Sequence, residues 1–173
     1  FVRVVAAREM SKTDLISLCN RAEELGMEIE VFVHGALCMC LSGQCQLSAF
    51  LGQRSGNRGL CAGPCRLPFK AEKGTGYDLS LKDLSLLDYL NELREMGVKS
   101  FKIEGRMKRP EYVSAAVKAC KKSINNEYNF DTQKDLMDLF SRSGFTDGYY
   151  QYKHGRDMFG FREKENVKSA TKD

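Results

Sequence analysis

The sequence predicts an α/β protein made of parallel strand–helix repeats. Two observations carry the prediction. Short β-branched runs at 2–7 (VRVVAA), 28–33 (EIEVFV) and 98–103 (VKSFKI) alternate with segments whose apolar residues recur at helical spacing. Polar residues of chemical interest follow the C-terminal ends of those runs, where parallel α/β sheets gather their sites.

Taken in order, 2–7 is short, apolar and β-branched, as for a strand buried on both faces. Ser11 and Asp14 have the spacing of a helix N-cap with an acidic third position, and Leu15, Ile16, Cys19, Ala22 and Leu25 follow at helical period until Gly26 stops the turn. A second strand spans 28–33. Segment 42–51 fits a short helix with Leu47 and Phe50 turned to a core, and 53–65 is too rich in Gly and Arg for regular structure. A brief strand is expected at 77–81. Ser85 is placed to cap a helix with Leu86, Leu87, Leu90 and Leu93 on one face, ending at Gly97. The strand at 98–103 is followed by Pro110 at a favoured first helical position, and Asp131 by a last helix through Leu136, Met137 and Phe140. Four strands in this alternation make about half of an eight-stranded barrel.

The 173 residues suit one domain or a piece of a larger one, and an opening on FVRVVAA without Met suggests a fragment. Domain organisation reads as a half barrel over 1–160, a cysteine-rich loop over 34–70 and a frayed, charged tail over 161–173. No run approaches the ~20 apolar residues of a membrane span, so no membrane partner is expected. A net charge of +4 permits an anionic partner without arguing for one. Seven cysteines, an odd and unevenly placed number, make a poor disulfide framework and favour a reducing, cytoplasmic setting.

Five of those cysteines lie between Glu30 and Arg66, a stretch crowded with glycine and free of Asp and Glu up to Glu72. Cys38, Cys45, Cys61 and Cys65 form the expected ligand set, spaced C-x6-C and C-x3-C across a long loop. Four soft thiolates suit an iron–sulfur cluster or zinc. The wide loop favours the cluster, because structural zinc sites use tight knuckles at both ends. Cys19 and Cys120 read as buried small apolar residues, and Cys40 as a neighbour of the set or a substitute for Cys38. Arg54, Arg58 and Arg66, with Lys82, are the anion-binding candidates, since guanidinium forks match carboxylate and phosphate. Glu9, His34, Asp83, Glu104 and Arg106 each follow a predicted strand and would converge at one end of the sheet. Of these, His34, Asp83, Glu104 and Arg106 are the catalytic candidates. A hydrogen-bond donor beside the site describes His34 better than a base does, and Glu104 needs a cation such as Arg106, Lys82 or Lys102. No G-x-S-x-G elbow or H-E-x-x-H motif occurs.

The run EVFVHGALCMCLSGQCQLS at 30–48 matches throughout the signature of the collagenase-like peptidase family U32, of unassigned catalytic type. RSGNRGLCAGPCR at 54–66, LSLKDLSLL around Asp83, FKIEGRMKRPEYV from Phe101 and GFTDGYY at 144–150 resemble further segments of that family, the last with Asp147 substituted. The resemblance implies the C-terminal half of a TIM-barrel-like catalytic domain whose N-terminal half is missing. It also implies a 4Fe-4S cluster on the four cysteines and, for the parent protein, hydroxylation of a tRNA or rRNA base with prephenate as a possible co-substrate. A peptidase is the alternative and a zinc-braced scaffold the second. An isolated half barrel is expected to be inactive and to self-associate through its unpaired edges.

Overall fold

A computed structural model describes residues 1–69, 71–74, 76–105 and 108–161. Arg106 and all but the first residue of the expected tail lie outside the described residues. Five strands and five α-helices alternate: β1 Arg3–Val5, α1 Lys12–Glu24, β2 Glu28–Gly35, α2 Leu47–Gly52, β3 Asp83–Ser85, α3 Leu90–Glu95, β4 Ser100–Glu104, α4 Pro110–Ile124, α5 Phe130–Leu139 and β5 Phe145–Thr146. The sheet is mostly parallel. β2 is its hub, with β4 parallel along one edge, β1 parallel at residues 28–30 and β3 antiparallel at His34 and Gly35. The fold is therefore α/β as expected, with one strand reversed.

Alternation along β2 sorts its side chains. Ile29, Val31 and Val33 are buried in the core with α1 and α3 residues such as Leu15, Cys19, Leu90 and Leu93. Glu28, Glu30 and Phe32 face the other way. There Glu30 accepts from Ser100 Oγ and Lys102 Nζ, both at 2.8 Å, and stands 3.7 Å from Arg3. The Lys102 and Ser100 bonds hold the Glu30 carboxyl below the usual carboxylate range. Leu87, Leu90 and Leu93 are wholly buried, each worth roughly 2 kcal/mol of apolar transfer. α4 buries Tyr112, Ala116, Ala119, Cys120 and Ser123, a single stripe at helical spacing.

Several local expectations are corrected. β1 is exposed rather than buried on both faces, because only β2 pairs with it among the described residues. Phe50 is exposed, since α2 is a single turn and a half on the loop surface and buries only Ser48. The strand expected at 77–81 forms at 83–85 instead. Ser85 lies within that strand and caps nothing; a 3-10 turn, Leu87–Tyr89, leads into α3. α5 is capped by Asn129, whose side chain accepts from the Thr132 N–H, rather than by Asp131. At α1 the capping box of Ser11 and Asp14 is formed as read.

Between Phe32 and His34 the β2–β4 pairing slips by one residue, leaving Val33 as a bulge. The slip breaks the alternation, so Val33 and His34 are both buried and Gly35 is set beside Glu104. A Cβ at Gly35 would stand 2.6 Å from the Glu104 carbonyl oxygen, and its φ of +120° is one that only glycine adopts readily. This kink delivers the chain into the cysteine-rich loop.

Candidate functional site

The loop after β2 is tied down at both ends. Near its start, Ser42 donates through its backbone N–H (2.9 Å) and hydroxyl (2.7 Å) to the two oxygens of Glu9, which follows β1. Burial works to raise the Glu9 carboxyl, but these bonds outweigh it and leave it below the usual range. At the far end Arg66 donates to the carbonyls of Leu37 and Leu81 (2.6 Å to the latter) and to Ser80 Oγ at 3.2 Å. Arg66, itself next to Cys65, thus ties that end of the loop to Leu37, the residue before Cys38. Burial, and then the nearby charge of Arg142, weaken its hold on its proton. Arg54 is likewise engaged, its Nε donating to the Leu60 carbonyl at 2.9 Å, and Asn57 ties the loop to Gly43 at 2.6 Å. Arg58 is exposed.

The four expected thiols lie on this tied loop. Burial raises the Cys38 thiol, Arg8 and Arg66 pull it down, and Cys61 and Cys45 push it up again. Burial also raises Cys65, with Arg66 opposing and Cys38, Cys61 and Cys45 adding to it. Cys38 thus feels Cys61 and Cys45, and Cys65 feels Cys38, Cys61 and Cys45, whereas Cys40, exposed, does not figure among these influences. Cys61 Sγ accepts from the Gly63 N–H at 3.3 Å and the Ser48 hydroxyl at 3.7 Å, and Arg8 Nη1 stands 4.0 Å from Cys38 Sγ. Such donors stabilise charge on sulfur, the state in which thiolates bind metal. All seven cysteines are free, and among the described residues no three His, Cys, Asp or Glu converge as they would on a single ion. Cys19 and Cys120 are buried in the core, and burial alone lifts both thiols, Cys120 to about 11.

The expected polar residues are only partly brought together. Glu104 pairs with Arg8 at 2.9 Å, a partner the sequence reading missed, while Lys102 serves Glu30 instead. Arg8 lies just past the run read as the first strand, 2–7, with no periodic signal, and only the fold brings it across to β4. Its guanidinium also lies 3.8 Å above the Phe32 ring. Asp83 is buried and engaged by Arg142 through both the guanidinium and the backbone N–H (3.1 Å), a second missed partner. Lys82 is half-buried beside it, its N–H donating to the Met158 carbonyl at 2.8 Å.

His34 is 1 % exposed, stacked on Tyr112 at 5.8 Å and edge-on to Phe145 at 5.0 Å. Neither ring nitrogen has a hydrogen-bond partner among the described residues. Burial, then the charge of Lys108, lower its pKa to about 4 and keep it neutral. Lys108 Nζ in turn lies 2.7 Å from the centroid of the Phe140 ring. Of the late tyrosines, Tyr150 is buried with its hydroxyl on Glu92, while Tyr152 is exposed. Asp147 accepts from Tyr89 at 2.6 Å, and burial with that bond pushes Tyr89 up to about 12.

No helix among the described residues is long and apolar enough to cross a membrane. The sequence profile of peptidase family U32 matches residues 1–159. The chain is 33% identical over 193 aligned positions to tRNA hydroxylation protein P1 of Bacillus subtilis, covering 99% of this chain and 44% of that protein. It is 38% identical over 141 positions to a collagenase of Porphyromonas gingivalis, covering 72% of this chain and 34% of the relative. A 23S rRNA 5-hydroxycytidine synthase of Escherichia coli is 42% identical over 120 positions, covering 65% of this chain and 18% of that enzyme. The chain thus spans less than half the length of these relatives. No solved structure matches it significantly. With the signature run forming β2 and the cysteine loop, and the profile covering all but the last residues, the chain belongs to peptidase family U32.

Proposed function

We propose that this chain carries the cluster-binding part of an enzyme that hydroxylates a tRNA or rRNA base, with a 4Fe-4S cluster held by Cys38, Cys45, Cys61 and Cys65. The observation that carries the reading is the thiol quartet itself. Cys38 feels the charge of Cys61 and Cys45, Cys65 that of Cys38, Cys61 and Cys45; Arg8 acts on Cys38 and Arg66 on both, and among the described residues no three ligand-type side chains converge as on a single ion. A tetrahedral zinc ion, with Zn–S near about 2.3 Å, draws sulfurs tightly together, whereas a cluster with several irons takes them farther apart. Burial and neighbouring sulfurs raise the Cys38 and Cys65 thiols, so holding them as thiolates calls for the positive charge that such a centre would bring. When bound, the cluster supplies electron transfer or a Lewis-acidic iron. Around it the chain's own groups hold and orient. Arg58, exposed on the loop, and Arg54 beside it present cations to an anionic co-substrate of the prephenate type or to RNA phosphates. Glu104, fixed by Arg8, places a carboxylate at the same end of the sheet. Relatives named as tRNA and rRNA hydroxylation proteins support an RNA substrate, and with it a cytoplasmic setting.

The reading includes a TIM-type barrel completed by further chain, supported by β1 and β4 each having one strand neighbour among the described residues. A thiol peptidase needs a cysteine activated by an adjacent base. His34 is enclosed by rings and its nitrogens reach no sulfur, so the site gives that alternative no support.

The test compares tRNA and rRNA nucleosides from cells with and without the gene. Loss of a 5-hydroxypyrimidine nucleoside on deletion, restored by the wild-type gene but not by Cys61→Ser, is expected. Unchanged nucleosides together with peptide cleavage by the purified protein would move the assignment to the peptidase. Stoichiometric zinc in colourless protein would move it to the scaffold.

A further inference from the structure

Among the described residues, Arg8 is the side chain that reaches both a thiol of the quartet, Cys38, and the carboxylate at the end of β4. Its Nη1 lies 4.0 Å from Cys38 Sγ and its Nη2 donates to Glu104 Oε2 at 2.9 Å. The guanidinium is seated on the Phe32 ring, and its buried Nε has no hydrogen-bond partner among the described residues. Its backbone is fixed as well: the Arg8 N–H reaches Ser42 Oγ at 3.4 Å, next to the Glu9–Ser42 bonds that clamp the cysteine loop. A lone structural ion pair does not require this arrangement. A cation shared between a sulfur and a carboxylate, with one donor unspent, can move toward whichever partner carries more negative charge.

We propose that Arg8 is a positioning residue that couples the redox state of the cluster to Glu104. This rests on the cluster reading given above. An electron delivered to a bound cluster by a one-electron reductant, dithionite in the test below, would make its thiolate ligands more negative and strengthen the pull of Cys38 on the guanidinium. The hold on Glu104 loosens in step, freeing that carboxylate for substrate. By reciprocity, the Glu104 charge, which draws Arg8 away from Cys38, disfavours reduction. Arg8 thereby raises the cluster's reduction potential and Glu104 lowers it, the latter largely by way of Arg8.

The experiment is a dithionite potentiometric titration, followed by visible absorbance and electron paramagnetic resonance, on protein purified anaerobically from the complete coding sequence. Arg8→Gln is expected to lower the reduced-to-oxidised ratio at fixed potential about tenfold, a shift of about 59 mV for one electron. Arg8→Lys, which keeps the charge, should stay within about threefold of wild type. Glu104→Gln should shift the ratio the opposite way, and most of that shift should vanish in the Arg8→Gln background. Circular dichroism on each variant separates misfolding from tuning, and Arg8→Lys serves as the folded control. An unchanged potential in Arg8→Gln, or purely additive effects in the double variant, overturns the assignment of Arg8 alone. Wild-type protein without iron and sulfide overturns the cluster reading and this inference together.

Discussion

The Asp83 carboxylate is buried on β3 against the Arg142 guanidinium, and the Arg142 backbone N–H donates to its second oxygen at 3.1 Å. The contact reaches from the strand that meets β2 antiparallel to the segment leading into β5, fifty-nine residues later in the chain. A buried carboxylate left alone is costly, so the pair is felt most when one member is removed. Asp83→Ala is expected to cost about 3–5 kcal/mol in urea denaturation, and Asp83→Leu with Arg142→Met together much less. Equal losses in the single and double variants would show that Asp83 acts through something other than this pair.

His34 makes stability depend on pH. Its folded pKa is about 4 against an ordinary value of 6.5, so between those limits the unfolded chain holds a proton that the folded chain does not. Its contribution is therefore whole above about pH 6.5 and falls as pH drops towards 4, by roughly 3 kcal/mol in all. Urea titrations at about pH 7 and about pH 4.5 should show this loss, and His34→Phe, which keeps a ring between Tyr112 and Phe145, should flatten it. An unaltered slope in that variant would assign the acid sensitivity to other groups.

Gly35 is held by the bulge rather than by the loop that follows. Its Cβ would meet backbone and Cβ atoms of Glu104 at 2.6 and 2.9 Å, none of which can swing aside. Gly35→Ala should destabilise by about 2–4 kcal/mol, combining positive-φ strain with overpacking. It should also displace Glu104, visible as a changed potential in the cluster-loaded protein. Stability within about 0.5 kcal/mol of wild type would mean that the two strands part easily there.

The cysteines divide into two groups by environment, and serine substitution should separate them. Cys38→Ser, Cys45→Ser, Cys61→Ser and Cys65→Ser should each lower bound iron by more than about half while leaving the fold intact. Cys19→Ser and Cys120→Ser should keep full iron but cost about 1–3 kcal/mol, since each buries a hydroxyl among apolar neighbours. Cys40→Ser should change neither. Iron retained by all four of the first group would rule out the quartet as ligands.

Local chemistry was enough to announce much of this protein. The capping box at Ser11, the β-branched runs of β2 and β4, Pro110 at the head of α4 and the leucines of α3 each act within a few residues of themselves. The cysteine-rich stretch was equally plain as a pattern, because cysteines without nearby carboxylates stand out in any order of reading. What sequence left open were partnerships across distance. Arg8 for Glu104, Arg142 for Asp83 and the aromatic enclosure of His34 join residues dozens of positions apart, so no local spacing encodes them. The exposure of β1 and Phe50 and the reversal of β3 were undecidable for the same reason: burial and strand direction depend on which neighbour arrives, and only the packed sheet selects it.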